Sequence, residues 1–119
     1  LQVSTIAEPG RALIATGFPF MAGEDAERYI GQMRRLMTHT AGLRRPGSAS
    51  LDLAGVACGR FDGFWENRLA PWDIAAGILL VREAGGIVTD LAGAPCVVDT
   101  TSVLAASPAM HPWLLERLR

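Results

Sequence analysis

The stretch Pro71-Trp72-Asp73-Ile74-Ala75-Ala76-Gly77-Ile78-Leu79-Leu80-Val81-Arg82-Glu83-Ala84-Gly85-Gly86-Ile87-Val88-Thr89-Asp90 decides the fold of this 119-residue chain. Proline suits the first turn of a helix, and the pair Gly85-Gly86 ends the helix before a β-branched pair. The residues between Ile74 and Val81 are apolar nearly all the way round, which is typical of a helix covered on both sides. The sequence therefore predicts a buried helix that presents Asp73 at its amino end and leads into a strand.

Strands and helices alternate on both sides of this helix. Apolar runs and turn residues predict strands at 1–4, 12–16, 43–46, 60–66, 87–89 and 103–106. Helical spacing and capping residues predict helices at 24–40, 48–58, 71–84 and from 108 onward. We therefore expect residues 1–119 to form a single α/β domain, a layered sandwich of a mostly parallel sheet with helices on its faces.

The helix predicted at 24–40 has one apolar stripe. Residues at helical spacing form it, namely Ala26, Tyr29, Ile30, Met33, Leu36 and Met37. Arg28, Gln32 and Arg35 fall outside the stripe. The pattern predicts that the stripe is the buried face of the helix and that Gln32 does not belong to it.

The composition is that of a core-forming globular chain, with 50% hydrophobic and 19% charged residues. A formal net charge of −1 gives no indication of nucleic acid or an anionic membrane as a partner. The cysteines Cys58 and Cys96 form no metal or redox motif, so we expect a reduced, cytoplasmic protein. No apolar run has the length of a membrane span, and no signal peptide is visible. Because the chain starts at Leu1 without a methionine, within a strand-like pattern, we expect a fragment.

Three polar features are expected to meet at one edge of the sheet. Gly47-Ser48-Ala49 opens a helix, Glu66 ends a strand, and Asp73 opens the next helix. In open α/β sheets, ligands collect at the carboxyl ends of strands and the amino ends of helices. Backbone N–H groups at 47–49 can donate to substrate oxygens, Glu66 can accept from hydroxyls, and Asp73 can bind a hard divalent cation. Together these features predict a site for a polyhydroxylated phosphate ester.

Each of these residues also has a purely structural interpretation. Asp73 can be a capping residue that complements the helix dipole, and Ser48 can be only a helix cap. Glu66 can be a solvated strand end or an ion-pair partner of Arg68. The chain has no Gly-x-Ser-x-Gly elbow and no Cys/His nucleophile pairing. We therefore assign no catalytic residue.

The motif Trp72-Asp73-x-Ala75-Ala76-Gly77, followed by Glu83-Ala84-Gly85-Gly86 and Val88-Thr89-Asp90, resembles the carboxy-terminal signature of the inositol monophosphatase family of Mg²⁺-dependent phosphatases. Ile14-Ala15-Thr16-Gly17-Phe18-Pro19, Arg45-x-Gly47-Ser48-Ala49 and Gly59-Arg60-x-Asp62-Gly63 extend the resemblance over essentially the whole chain. It implies the carboxy-terminal half of an αβαβα phosphatase fold. It also implies Mg²⁺ as cofactor, Asp73 as a metal ligand, and Gly47, Ser48, Ala49 and Glu66 as substrate-binding residues. The implied substrate is a small phosphate ester, with inositol monophosphate favoured.

One departure from the family pattern affects the expected activity. The family's amino-terminal half supplies a Glu and an Asp-Pro-x-Asp-Gly-Thr segment that bind most of the metal, and this chain contains no such segment. Asp73 alone should hold Mg²⁺ very weakly, so we expect the chain to be inactive without its missing amino-terminal half. Faces left open by that loss are expected to promote homo-oligomers.

Other functions remain open at this point. Fructose bisphosphatase, 3′-phosphoadenosine phosphatase and histidinol phosphatase activities are alternatives within the same chemistry. A non-catalytic binding or dimerisation module that retains the phosphatase scaffold is an alternative of a different class.

Overall fold

A computed structural model describes residues 1–17, 23–95 and 102–119. In chain order the elements are β1 (Leu13–Thr16), α1 (Glu24–Met37), β2 (Gly42–Arg44), α2 (Ala49–Ala57), β3 (Gly63–Glu66), α3 (Pro71–Glu83), β4 (Ile87–Thr89), β5 (Val103–Ala106) and α4 (His111–Leu118), with a short 3-10 turn at Pro9–Arg11. Each predicted helix and strand is present, except the strand at 1–4. Cys96 lies outside the described residues, and so do Phe18 and Pro19 of the motif that starts at Ile14.

The sheet has five strands in the order β2-β1-β3-β5-β4. β1 pairs in parallel with β2 and with β3, whereas β5 lies antiparallel between β3 and β4. Four of the strands therefore run in one direction and β5 runs against them, which makes the predicted mostly parallel sheet a mixed one. The layered α/β fold is confirmed.

Helices cover both faces of the sheet. α2 and α3 pack on one face against Ala15, Phe64 and Val88, and α1 and α4 pack on the other face against Ile14, Trp65 and Leu104. Since successive strand residues point to opposite faces, Phe64 and Trp65 of β3 enter different cores, and Glu66 returns to the α2/α3 face. This alternation places Glu66 beside the amino ends of α2 and α3.

The central helix α3 is buried on one side only. Ile74, Ile78 and Val81 are buried against α2 and the sheet, but Trp72 is 81% and Leu79 is 61% exposed. The expectation that α3 is covered on both sides is therefore wrong for this chain. Among the described elements, α2, β4 and β5 pack against α3, and they cover the face that carries Ile74, Ile78 and Val81.

Two other expectations about burial are also wrong. In α1, Gln32 is fully buried, while Ile30 and Met37 of the predicted stripe are exposed. Gln32 can be buried because protein partners fill its hydrogen-bonding positions. The segment 1–4 forms no strand, and its Val3 N–H donates instead to the Ala84 carbonyl that follows α3. In the described part of the chain, no helix has both the length and the hydropathy that crossing a bilayer requires.

Candidate functional site

A cavity of about 300 Å³ opens where the carboxyl end of β3 meets the amino ends of α2 and α3. The described residues that line it are Gly17, Arg45, Gly47, Ser48, Ala49, Ser50, Glu66, Leu69 and Asp73. The structure thus brings together all the residues that were predicted from sequence to bind substrate or metal. Their individual roles remain predictions.

Glu66 is the most enclosed acidic residue in this lining. It ends β3, is 7% exposed, and packs so closely on Gly17 that a Cβ at position 17 would overlap its carboxylate. The predicted solvated strand end is therefore wrong. The alternative ion pair with Arg68 is wrong too, because Arg68 pairs with Asp25 at 3.0 Å.

The surroundings of Glu66 favour its protonated form. Burial, reinforced by the neighbouring carboxylates Asp52 and Asp73, raises the pKa of Glu66 to about 7, while Arg45 acts in the opposite direction. The side chain is therefore balanced near neutral pH between a carboxylate and a carboxylic acid. A ligand hydroxyl or a cation entering the cavity would stabilise the carboxylate form.

The amino end of α2 forms the opposite wall. Gly47 has φ +98°, a conformation that glycine adopts easily, and it turns the chain into the helix. Ser48 occupies the N-cap position, but its hydroxyl makes no capping hydrogen bond and lies 3.4 Å from the Ser50 hydroxyl. The interpretation of Ser48 as only a cap is therefore not supported. The first N–H groups of α2 carry the positive end of the helix dipole at this wall.

Asp73 stands at the third position of α3. One of its carboxylate oxygens accepts the backbone N–H of Ala70 at 3.2 Å, which fastens the start of the helix. This bond confirms a capping role for Asp73, and the side chain also reaches the cavity. Within the described part of the chain the second oxygen accepts no hydrogen bond, so it can still face a ligand in the cavity.

The donor set of the described residues does not complete a Mg²⁺ site. Mg²⁺ requires near-octahedral oxygen coordination and is usually held by carboxylates together with substrate phosphate and water. Within residues 1–17, 23–95 and 102–119, no group of three or more His, Cys, Asp or Glu side chains is placed to hold a metal ion. Asp73 can supply one ligand, and the other ligands would have to come from outside these residues.

Two charged residues that influence the site were given no role in it from the sequence. Arg45 lines the cavity and is its cationic residue. Asp52, in the first turn of α2, is 1% exposed, both of its carboxylate oxygens lack a hydrogen-bond partner among the described residues, and burial raises its pKa to about 6. A carboxylate within the otherwise apolar run of α2 was the sequence signal that could have identified Asp52.

Comparison with known proteins gives the same assignment along the entire sequence. The model of the inositol monophosphatase family matches residues 1–119. Nus factor SuhB of Salmonella typhimurium is 48% identical over 119 residues, and inositol-1-monophosphatase of Caulobacter vibrioides is 42% identical over 120 residues. Each match covers 100% of this chain but only 45% and 47% of the respective relative. The chain thus spans about half the length of the curated relatives it matches.

The fold comparison agrees. The crystal structure of extragenic suppressor protein suhB from Bartonella henselae superposes with a TM-score of 0.92 at 42% identity, over 99% of this chain and 45% of that one. A match of family, sequence and fold over the full 119 residues leaves one conclusion: the chain belongs to the inositol monophosphatase family.

Proposed function

We propose that the full-length protein hydrolyses a small phosphate monoester in a Mg²⁺-dependent reaction, with inositol monophosphate as the favoured substrate. The observation that supports this most is the cavity that joins the amino end of α2, Glu66 and Asp73. This chain supplies one metal ligand and the contacts to substrate hydroxyls, and it is inactive alone.

The residues of the cavity suit the two ends of such a substrate. The N–H groups and dipole at the start of α2 favour an anionic or oxygen-rich group, and Arg45 adds a positive charge. Glu66, as a carboxylate, accepts hydrogen bonds from ring hydroxyls. A substrate with two hydroxyl groups that donate hydrogen bonds to Glu66 would keep it ionised despite its burial.

Asp73 contributes to metal binding in this proposal. When bound, Mg²⁺ would polarise the phosphoryl oxygens and lower the pKa of an attacking water. The hydrogen bond from the Ala70 N–H fixes the orientation of the Asp73 carboxylate before any ion arrives. The remaining ligands come from the part of the protein outside these residues.

The test is phosphate release by the full-length protein, with and without Mg²⁺. Inositol 1-phosphate is compared with fructose 1,6-bisphosphate, 3′-phosphoadenosine 5′-phosphate and histidinol phosphate. We expect Mg²⁺-dependent turnover that is highest with inositol 1-phosphate and is abolished by Asp73→Asn. Turnover that does not depend on Mg²⁺ or on Asp73 would contradict the proposal, and a different preferred ester would correct the substrate.

A second role is supported by the names of close relatives. Proteins of Salmonella typhimurium and Escherichia coli that are 48% and 47% identical to this chain are called Nus factor SuhB. We propose a Nus factor role as the alternative function. The expectation that the protein has no nucleic-acid partner remains an untested prediction. If the full-length Asp73→Asn variant, inactive as a phosphatase, replaces the SuhB of Escherichia coli in a depleted strain, this second role does not require catalysis.

A further inference from the structure

The two residues that flank Glu66 both form hydrogen bonds with one buried side chain, that of Gln32. Trp65 Nε1–H donates to Gln32 Oε1 at 3.1 Å, and Asn67 Nδ2–H donates to the same oxygen at 2.8 Å. Gln32 Nε2–H donates in return to Asn67 Oδ1 at 3.1 Å. The amides of Gln32 and Asn67 therefore form a closed pair on the side of the sheet opposite the cavity.

The hydrogen-bonding capacity of Gln32 is fully used. Its second N–H donates to the Leu118 carbonyl at 3.1 Å, near the end of α4. Two donated and two accepted bonds exhaust what a glutamine amide can make. Turning the amide over would set its oxygen against the Leu118 carbonyl and its NH₂ against the Trp65 N–H, so these partners determine a single orientation.

The segment fastened in this way carries much of the cavity wall. Glu66, Leu69 and Asp73 all line the cavity, and they lie on the stretch that leaves β3 and enters α3. A second link to α1 follows at once, because Arg68 pairs with Asp25 in the first turn of that helix. Buried, saturated amides hold their neighbours more firmly than an exposed ion pair does, so Gln32 is the stronger of the two attachments.

We propose that Gln32 is a positioning residue for substrate binding, which fixes Glu66 toward the cavity by holding both of its neighbours from the far side of the sheet. This inference rests on the proposed function, since it assigns Gln32 a part in holding the substrate hydroxyls. Glu66 contacts groups remote from the phosphorus, so a misplaced Glu66 weakens ground-state and transition-state binding alike. The loss should therefore appear in KM.

The experiment compares Gln32→Met with Leu36→Ala in the full-length protein. Met preserves the size of the side chain and removes all four hydrogen bonds. Leu36 is fully buried in the same helix and same core, so its truncation destabilises the protein without a hydrogen bond to the Glu66 segment. We expect Gln32→Met to raise KM for inositol 1-phosphate about tenfold with kcat within about threefold, and Leu36→Ala to leave KM unchanged.

A double-mutant cycle separates positioning from general stability. In a Glu66→Gln background, Gln32→Met should change KM by less than about twofold, because the group it positions no longer binds as a carboxylate. If the two substitutions instead multiply in their effects on KM, or if Gln32→Met leaves KM unchanged, the proposal is overturned.

Amide hydrogen exchange supplies a readout that does not need activity. Exchange at residues 66–70 should be at least about tenfold faster in Gln32→Met than in Leu36→Ala. Equal exchange in the two variants overturns the proposal. If the wild-type protein hydrolyses no phosphate ester, the proposed function fails, while this comparison still decides whether Gln32 fixes the segment. If Gln32→Met does not fold, Asn67→Ala is used in its place, because it removes the amide that pairs with Gln32. The same changes in KM and in amide exchange are then expected of Asn67→Ala.

Discussion

Replacing Glu66 by Gln is expected to stabilise the chain in a pH-dependent way. Burial raises the pKa of Glu66 from 4.5 to about 7. One pKa unit corresponds to about 1.4 kcal/mol, so folding with an ionised Glu66 costs about 3 kcal/mol more than folding with a neutral one. Glu66 is only 7% exposed, so solvent screening reduces this figure little.

The sign follows from the order of the two pKa values. Below pH 4.5 the carboxyl group is protonated in the folded and in the unfolded chain, so Glu66 does not lower the free energy of unfolding of the wild type. Between pH 4.5 and 7 the unfolded chain releases the proton while the folded chain keeps it, so the free energy of unfolding falls as the pH rises. Above pH 7 the full cost is present. The neutral Gln side chain avoids this cost at every pH.

The assay is urea unfolding of residues 1–119 from pH 4 to pH 8.5 in EDTA, so that no cation neutralises the cavity. Glu66→Gln should match the wild type near pH 4 and be more stable by about 3 kcal/mol near pH 8.5. Glu83→Gln is the matched control, since Glu83 is exposed and little hydration is lost there on folding. Parallel stability curves for Glu66→Gln and wild type would refute the reasoning about this carboxylate.

Four further predictions concern other parts of the fold. Gly17→Ala should raise KM of the full-length enzyme with little loss of stability, since the new Cβ overlaps the Glu66 carboxylate; an unchanged KM would argue against the contact. Gly77→Ala should destabilise the chain by about 1–3 kcal/mol in urea despite the better helix propensity of Ala, because its Cβ would overlap Leu53; a gain in stability would contradict this packing. Burial lowers the pKa of His111, whose Nε2 lies 2.8 Å from the Thr89 hydroxyl, so its contribution to stability is lost as the pH falls below 6.5. The substitution His111→Gln should reduce this loss of unfolding free energy below pH 6.5, as measured by urea unfolding. An unchanged loss would exclude His111 as its source. Leu79→Glu should reduce self-association of residues 1–119 in light scattering, because Leu79 is 61% exposed on an apolar helix face; a wild-type chain that is monomeric at high concentration would refute the expected oligomer.

Most of the architecture could be predicted from local sequence. The strands are apolar runs bounded by turn residues, and α3 begins at a proline and ends before Gly85. The meeting of Ser48, Glu66 and Asp73 around one cavity also followed, because in α/β sheets the carboxyl ends of strands and the amino ends of helices share an edge.

The misplaced expectations depended on contacts distant in sequence. The periodicity of α1 left Gln32 outside its stripe, yet its partners lie at residues 65, 67 and 118, which no local pattern identifies. The apolar surface of α3 predicted that other elements pack on both of its sides. Hydrophobicity alone does not identify those elements, and in the structure only one side of α3 is buried. The raised pKa of Glu66 depends on its burial and on Asp52 and Asp73, and so it required the packed structure.

The most direct test of the account is a crystal structure of the full-length protein with Mn²⁺ in place of Mg²⁺ and with inositol 1-phosphate. We predict an anomalous peak within about 2.5 Å of an Asp73 carboxylate oxygen and ring hydroxyls at about 3 Å from Glu66, with the ester against the amino end of α2. A metal ion remote from Asp73, or an ester bound outside this cavity, would contradict the assignment of the site.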